Sequence, residues 1–396
     1  MNQAVHNESS HTYVTRPHYE ILDGLRGVAA ILVVWFHLTE FMNPGNMPLF
    51  HGYLAVDFFY VLSGFVIGYA YDGRWKNELT LKGFIRRRLI RLAPLTFLGG
   101  LIGILLYYFS DCNLFPGVAT TPWWMLLLVG LGSCLCIALP PCLNVRGFNE
   151  VTSTNAPMWS LFYEYIANLL YALVVRHMKT WMLALLVAFF GFLVIDASFA
   201  LNLFGTLEEH ERQLSLNFGF VMTTEHCYVA LCRLLYPFFM GVLLSRFAKN
   251  PSQSKDHSSF VRDHGFLLCA ILLSVIMMMP RMCGWETLTA EGAFNAGSVL
   301  ILFPLIVVVG ARSNITGRRS SAICKWLGEI SFPLYITHYP LIYVFLAWWD
   351  RNPDTPMAAF IMVQVFVFIM TLVIATLAYK HFDLPIRRAL TSRTKS

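Results

Sequence analysis

Residues 24–42 read GLRGVAAILVVWFHLTEFM. As an α-helix this run rises about 28 Å, close to the thickness of a bilayer's hydrocarbon core, and its composition suits lipid as the solvent. It also carries Arg26 and His37, eleven positions apart. Eleven steps of 100° return to within about 20° of the same face, about 16 Å further along the axis. One stripe of this helix therefore sets a cation near one membrane surface and an imidazole toward the other. That geometry suits a protein joining reactants that arrive from opposite sides. A plainer reading of Arg26 is a topology anchor whose head snorkels to the surface.

The rest of the chain repeats the pattern. Its 396 residues are 57% hydrophobic and 13% charged, about half the charge of a soluble domain. Further apolar runs bounded by charge fall at 52–71, 92–110, 158–176, 180–200, 228–247, 265–280, 292–311, 326–348 and 357–380. With the first run they predict an all-α integral membrane protein of about ten transmembrane helices. One transmembrane domain, 23–380, is expected between polar tails at 1–22 and 381–396. An eleventh apolar stretch, 123–140, opens on Trp123 and Trp124 and ends on Pro140 and Pro141. Those ends suit a re-entrant or interfacial helix.

Basic residues set the orientation. If 123–140 does not cross, all but five of the 29 Lys and Arg fall on one side together with both termini. The exceptions are Arg146, Arg212, Arg281 and Arg351 in the opposite loops and Arg233 within a span. By the positive-inside rule the basic side is cytoplasmic. The net charge of +6 thus reflects topology, and no basic–aromatic blocks of the kind nucleic-acid binders show are present. The nine cysteines form no CxxC pair and no zinc spacing, so no metal site is expected. Cys112, Cys142, Cys227 and Cys283 fall in or near outer segments, where the sequence leaves disulfide pairing open.

Ionisable side chains inside spans are costly and mark function by default. His37, Asp57, Glu164 and Arg233 lie on four separate spans, each roughly 7–10 Å below the outer boundary. Two acids, a base and a histidine neutralise one another only if they converge. A carboxylate from Asp57 or Glu164, accepting from one imidazole nitrogen, would leave the other free as a base for a hydroxyl. Arg233 would stabilise an oxyanion or balance the carboxylates. Arg86, Arg87, Arg88 and Arg91 form the densest basic cluster; they hold their loop inside and suit bidentate phosphate contacts. Ser331, Tyr335 and His338 share one face of the ninth span, where Tyr335 and His338 would line a tunnel or bond a neighbouring helix. Ser63 and Gly64 read first as a close-packing site, since no GxSxG elbow surrounds Ser63 as a nucleophile. Asp196, near the outer end of the fifth span, reads as solvated.

These residues also stand in blocks. Leu22-Asp-Gly-Leu-Arg26-Gly27, with His37 eleven residues after the arginine, resembles the Arg-x10-His signature of the acyltransferase-3 family. Gly52 to Gly64, with Asp57 and Ser63, resembles that family's next block. Phe84 to Pro94, holding the four arginines, resembles its basic loop entering the third span. Trp159-Ser160-Leu161-Phe-Tyr-Glu164 and Ser331 to His338 resemble two later ones. The five blocks occur in order over most of the chain. Ala93 and Thr96 depart from the aromatic residues common around the proline.

The resemblance implies acyl transfer, usually of acetyl from acetyl-CoA, with Arg26 and His37 as the essential pair. Acyl-CoA would be a co-substrate, with no permanently bound cofactor. The acceptor would be a carbohydrate or lipid-linked glycan, and the site a bacterial cytoplasmic (inner) membrane. Direct transfer and a covalent acyl-enzyme on His37 or Ser63 both remain open, as do the acyl chain, the acceptor and the oligomeric state. On the residues alone, a secondary transporter of a sugar or proton-coupled substrate is the alternative, because it too would bury His, Asp and Glu at one depth.

Overall fold

The computed structural model describes residues 19–40, 50–75, 79–147, 149–206, 216, 219–248, 259–281, 288–315 and 317–392. Arg16, Lys76, Arg212, Lys249, Lys255, Cys283, Arg393 and Lys395, which bear on orientation or disulfides, lie outside them. Among the described residues there is no β-strand and thirteen α-helices follow one another. They are α1 Glu20–Thr39, α2 Ala55–Tyr71, α3 Leu81–Leu106, α4 Trp123–Cys134, α5 Met158–Leu173, α6 Thr180–Phe199 and α7 Thr224–Phe247. After these come α8 Ser259–Met278, α9 Leu288–Gly297, α10 Phe303–Arg312, α11 Arg318–Arg351, α12 Met357–Leu377 and α13 Leu384–Ser392.

Nine helical stretches among the described residues are long and apolar enough to cross a membrane, α9 and α10 counting as one stretch. A tenth helix, α8, is 20 residues long and packs on α1 and α10. Lipid suits their outward faces: on α12, Met362, Phe366, Ile369 and Val373 are all exposed. The short α4 has 12 residues, a rise of about 18 Å, which falls short of the hydrocarbon core. After it the chain reverses at Cys136, whose φ is 54°, and Leu139 returns beside Gly132. A short helix followed by this reversal fits the re-entrant or interfacial reading of 123–140.

One boundary differs from expectation. The sequence placed the third span at 92–110, with the arginines in a loop; α3 begins at Leu81 and carries all four arginines on its first turns. Arginine is a good helix former, and Thr80 caps the end by accepting from the Gly83 amide at 3.0 Å, so nothing stops the helix from starting early.

Two close approaches set the centre of the bundle. A side chain on Gly64 of α2 would collide with the Phe238 carbonyl of α7, and one on Gly241 of α7 with the Val61 carbonyl of α2. These reciprocal glycines bring the backbones together as small residues do within membranes. The long α11 is the axial helix, packed against α1, α3 and α12. At the end away from the basic residues, residues 107–157 fold into a cap. Arg146 lies at its heart, with its guanidinium 3.6 Å over the Tyr343 ring. Its Nε donates to the Ser153 carbonyl at 2.7 Å and its Nη1 to Ser110 Oγ at 2.7 Å. No disulfide forms among the described cysteines.

Candidate active site

Three cavities follow one another along the bundle, each sharing wall residues with the next. At the basic end lies a vestibule of about 760 Å³ whose wall includes Arg26, Arg74, Arg91, Lys325 and Arg387. Arg26, Arg91 and Ser331 also wall an inner cavity of about 100 Å³, which adds Ser63, Arg88 and Glu164. Val56 and Tyr335 then divide this cavity from a far chamber of about 340 Å³ that holds His37. Tyr335 is fixed at this waist by Ser160 Oγ at 2.7 Å and the Pro157 carbonyl at 3.1 Å.

The four charges expected at one depth separate into two clusters plus His37. Asp57 is held by Arg233: Nη2 donates to Oδ2 at 2.7 Å and Nε donates to the same oxygen at 3.1 Å. The same Nη2 donates to the Tyr53 carbonyl at 2.6 Å. Both side chains are almost wholly buried, at 0% and 2% exposed. Their pairing joins α2 to α7. Glu164 lies instead in the inner cavity, where its Oε1 accepts from Ser63 Oγ at 2.7 Å and Arg88 Nη2 at 2.8 Å. This cluster ties α5 to α2 and α3.

The sequence reading expected Asp57 or Glu164 to orient His37, and neither does. The partner is Glu40, one turn on along α1, whose Oε2 stands 2.7 Å from His37 Nδ1. The carboxylate accepts, so Nδ1 carries the hydrogen and Nε2 is left as the basic nitrogen. The ring also stacks on His338 at 5.5 Å between centroids and meets the Tyr339 ring edge-on at 4.8 Å. His338 itself lines none of the three cavities. Its Nδ1 donates within its own helix to the Leu334 carbonyl at 3.0 Å, and its buried Nε2 has no hydrogen-bond partner. Both expectations for it, tunnel lining and a bond to a neighbouring helix, are thereby corrected.

The arginine cluster does not act as one patch, because helical spacing sends its members to different faces. Arg88 and Arg91 face the cavities. Arg88 keeps a buried Nε without a partner, a donor free to meet a ligand. Arg87 is exposed, and Arg86 turns to a groove beside Leu390 on the outer surface. Arg26 pairs with Asp23 at 3.1 Å while lining both the vestibule and the inner cavity.

Sequence reasoning passed over three contributors. Glu40 was findable, since three-residue spacing places it against His37 on one helical face. Glu150 and Tyr343 carry no such signal, because the cap that brings Glu150 to the chamber has no periodic pattern. Glu150 lines the far chamber, where it accepts from Asn144 Nδ2 at 3.0 Å and lies 3.4 Å from the Tyr343 hydroxyl. Burial raises its carboxyl above the ordinary carboxylate value, against the opposing pull of Asn144 and the nearby Arg146 guanidinium.

Among the described residues no cluster of His, Cys, Asp or Glu is suited to a metal ion. What the arrangement offers is an imidazole with a carboxylate partner in a chamber at one end and, at the other, a vestibule where five Lys and Arg side chains stand among the carboxyls of Glu20, Asp23, Glu329 and Asp383.

Comparison with known proteins accords with this geometry. The acyltransferase-3 family model, described as an acyltransferase domain, matches residues 19–380. A Rhizobium radiobacter protein named "Protein 2 in picA locus" is 34% identical over 38% of this chain and 80% of its own. A Staphylococcus aureus protein named "Putative O-acetyltransferase" is 22% identical over 93% of this chain, which spans 57% of that relative's length. Acyltransferase MdmB of Streptomyces mycarofaciens is 27% identical over 81% of this chain and 78% of its own. No solved structure matches.

Proposed function

The chain belongs to the acyltransferase-3 family, and on that premise we propose that it moves an acyl group, acetyl in the first instance, from acyl-CoA to a hydroxyl of a carbohydrate or lipid-linked glycan. The observation that carries this reading is the run of three cavities with shared walls, from a vestibule that holds five Lys and Arg side chains to the His37–Glu40 pair. The positive-inside rule makes the vestibule end cytoplasmic, in a bacterial inner membrane.

The donor's phosphates would meet Arg26, Arg74, Arg91, Lys325 and Arg387, and its thioester arm would extend past Arg88, Ser63 and Glu164 toward Tyr335. The acceptor enters the far chamber. His37 Nε2 takes the hydroxyl proton as the oxygen attacks the thioester carbonyl carbon. The Glu40 carboxylate stabilises the resulting imidazolium through Nδ1–H. Collapse of the tetrahedral intermediate breaks the C–S bond, and the imidazolium returns the proton to the departing thiolate. The products are the acyl ester and free CoA thiol. Asp57 and Arg233 hold the chamber wall, since Arg233 Nε and Nη2 donate to Asp57 and the Tyr53 carbonyl. Direct transfer is the simpler course, because Ser63 Oγ donates to Glu164 and lies on the vestibule side of Tyr335.

The test is transfer of labelled acetyl from acetyl-CoA by purified protein in nanodiscs. His37→Ala at equal abundance is expected to lose about 10²–10⁴-fold, the usual worth of a positioned general base. Full activity in that variant would end the assignment.

A further inference from the structure

The far chamber differs from the vestibule in the charge it presents. Its wall holds the rings of Phe115, Trp159, Tyr339 and Tyr343 and the carboxyls of Glu40 and Glu150. Among the described residues Arg233 supplies the one guanidinium in that wall, and its Nε and Nη2 are already given to Asp57 and the Tyr53 carbonyl. Arg146 lies nearby without joining the wall, stacked on Tyr343 at 3.6 Å, with hydrogen bonds to Ser153 and Ser110. His37 faces the chamber but is bonded to Glu40. A ligand in this chamber therefore meets two acids, several phenols and flat ring faces, and the cations around it are engaged with other partners.

Resting on the acyl-transfer reading above, we propose that this chamber is an acceptor subsite selective for charge: it takes uncharged or amino-bearing sugar rings and rejects those carrying a carboxylate or phosphate beside the reacting hydroxyl. Aromatic faces cover the C–H faces of a sugar ring, while buried carboxyls and phenols bond its hydroxyls. An anionic substituent would lose its hydration in a low-dielectric cavity and gain no cation in return. A protonated amine would gain the carboxylates. The vestibule wall is mixed, with five Lys and Arg side chains beside the carboxyls of Glu20, Asp23, Glu329 and Asp383, and it offers a polyanionic donor cations such as Arg91 and Lys325 that have no counterpart among the far chamber's described wall residues.

Three methyl glycosides of matched stereochemistry test this: the glucoside, the glucosaminide and the glucuronide, each offered with labelled acetyl-CoA to the purified protein in nanodiscs. The glucoside and glucosaminide are expected to receive at least ten times the label of the glucuronide. Glu150→Gln is expected to narrow that ratio at least threefold. Labelling of the glucuronide within threefold of the glucoside would overturn the proposal, and so would an unchanged ratio in Glu150→Gln. Binding of the same three glycosides, followed by saturation-transfer NMR, decides the matter if none is acetylated. Preference for the neutral and amino rings supports the proposal, and equal binding or none overturns it. Hydrolysis of labelled acetyl-CoA, and its loss in His37→Ala, is scored separately, so failure of the acyl-transfer reading is distinguishable from failure of the charge selection.

Discussion

Replacing Glu40 distinguishes the Glu40–His37 pair from the pairing with Asp57 or Glu164 that the sequence suggested. The Glu40 carboxylate lies 2.7 Å from His37 Nδ1, and a hydrogen bond to a charged group is worth about 1.5–3 kcal/mol. If that bond strengthens as the imidazole gains a proton, its loss slows the chemical step by roughly 10–100-fold. The isosteric Glu40→Gln keeps an acceptor for Nδ1–H and removes only the charge, so it belongs at the lower end. Glu40→Leu removes both and belongs at the upper end. The assay is labelled acetyl transfer at equal protein abundance, with the donor KM followed separately. The loss should fall on kcat, because Glu40 lies in the far chamber while donor phosphates would bind at the vestibule. Glu40→Leu with full kcat would refute the pairing as a catalytic device.

Other consequences follow from the same geometry. Arg233→Ala leaves Asp57 buried without its partner, which costs about 3–5 kcal/mol; it should appear as a lowered melting temperature, much of it recovered by the double change Asp57→Leu, Arg233→Met. Arg91→Ala should raise the donor KM by roughly 10–100-fold, the worth of one charged hydrogen bond, whereas Arg86→Ala, outside the cavities, should stay within about twofold. Glu150 has its carboxyl raised by burial, so the folded protein holds that proton more tightly than the unfolded chain does. Stability attributable to this group therefore falls as pH rises from the unfolded carboxylate value, about 4.3, toward the raised folded one. Thermal melts of Glu150→Gln should match the parent at the acid end and exceed it increasingly toward neutral pH; a difference constant with pH would count against a buried, strained carboxyl.

Length and apolarity alone gave the spans, because a bilayer demands both. Charge separation gave the non-crossing of 123–140, and α4 is indeed too short. What sequence could not supply was azimuth. Depth along a helix placed Asp57, Glu164, Arg233 and His37 in one layer, but the rotation of each helix decides who meets whom. Rotation sends Asp57 to Arg233 and Glu164 to Arg88. The same blindness lumped Arg86 and Arg87 with Arg88 and Arg91. Asp196 was expected in water, yet it is fully buried and accepts from the Tyr228 hydroxyl at 2.5 Å and the Leu203 amide at 3.0 Å. Its partners come from another helix and from the loop that follows it, which hydropathy does not register. The cap holding Arg146 and Glu150 was equally illegible, since irregular backbone follows no period.

The proposed reaction depends most on donor and acceptor meeting through the waist at Tyr335 from opposite sides of the membrane. Proteoliposomes with the protein in one orientation, an acceptor glycoside sealed inside and labelled acetyl-CoA supplied only outside, test that directly. Label is predicted to appear on the trapped glycoside, while a second label on the nucleotide of the donor stays outside. Transfer occurring only when donor and acceptor share one compartment would contradict it.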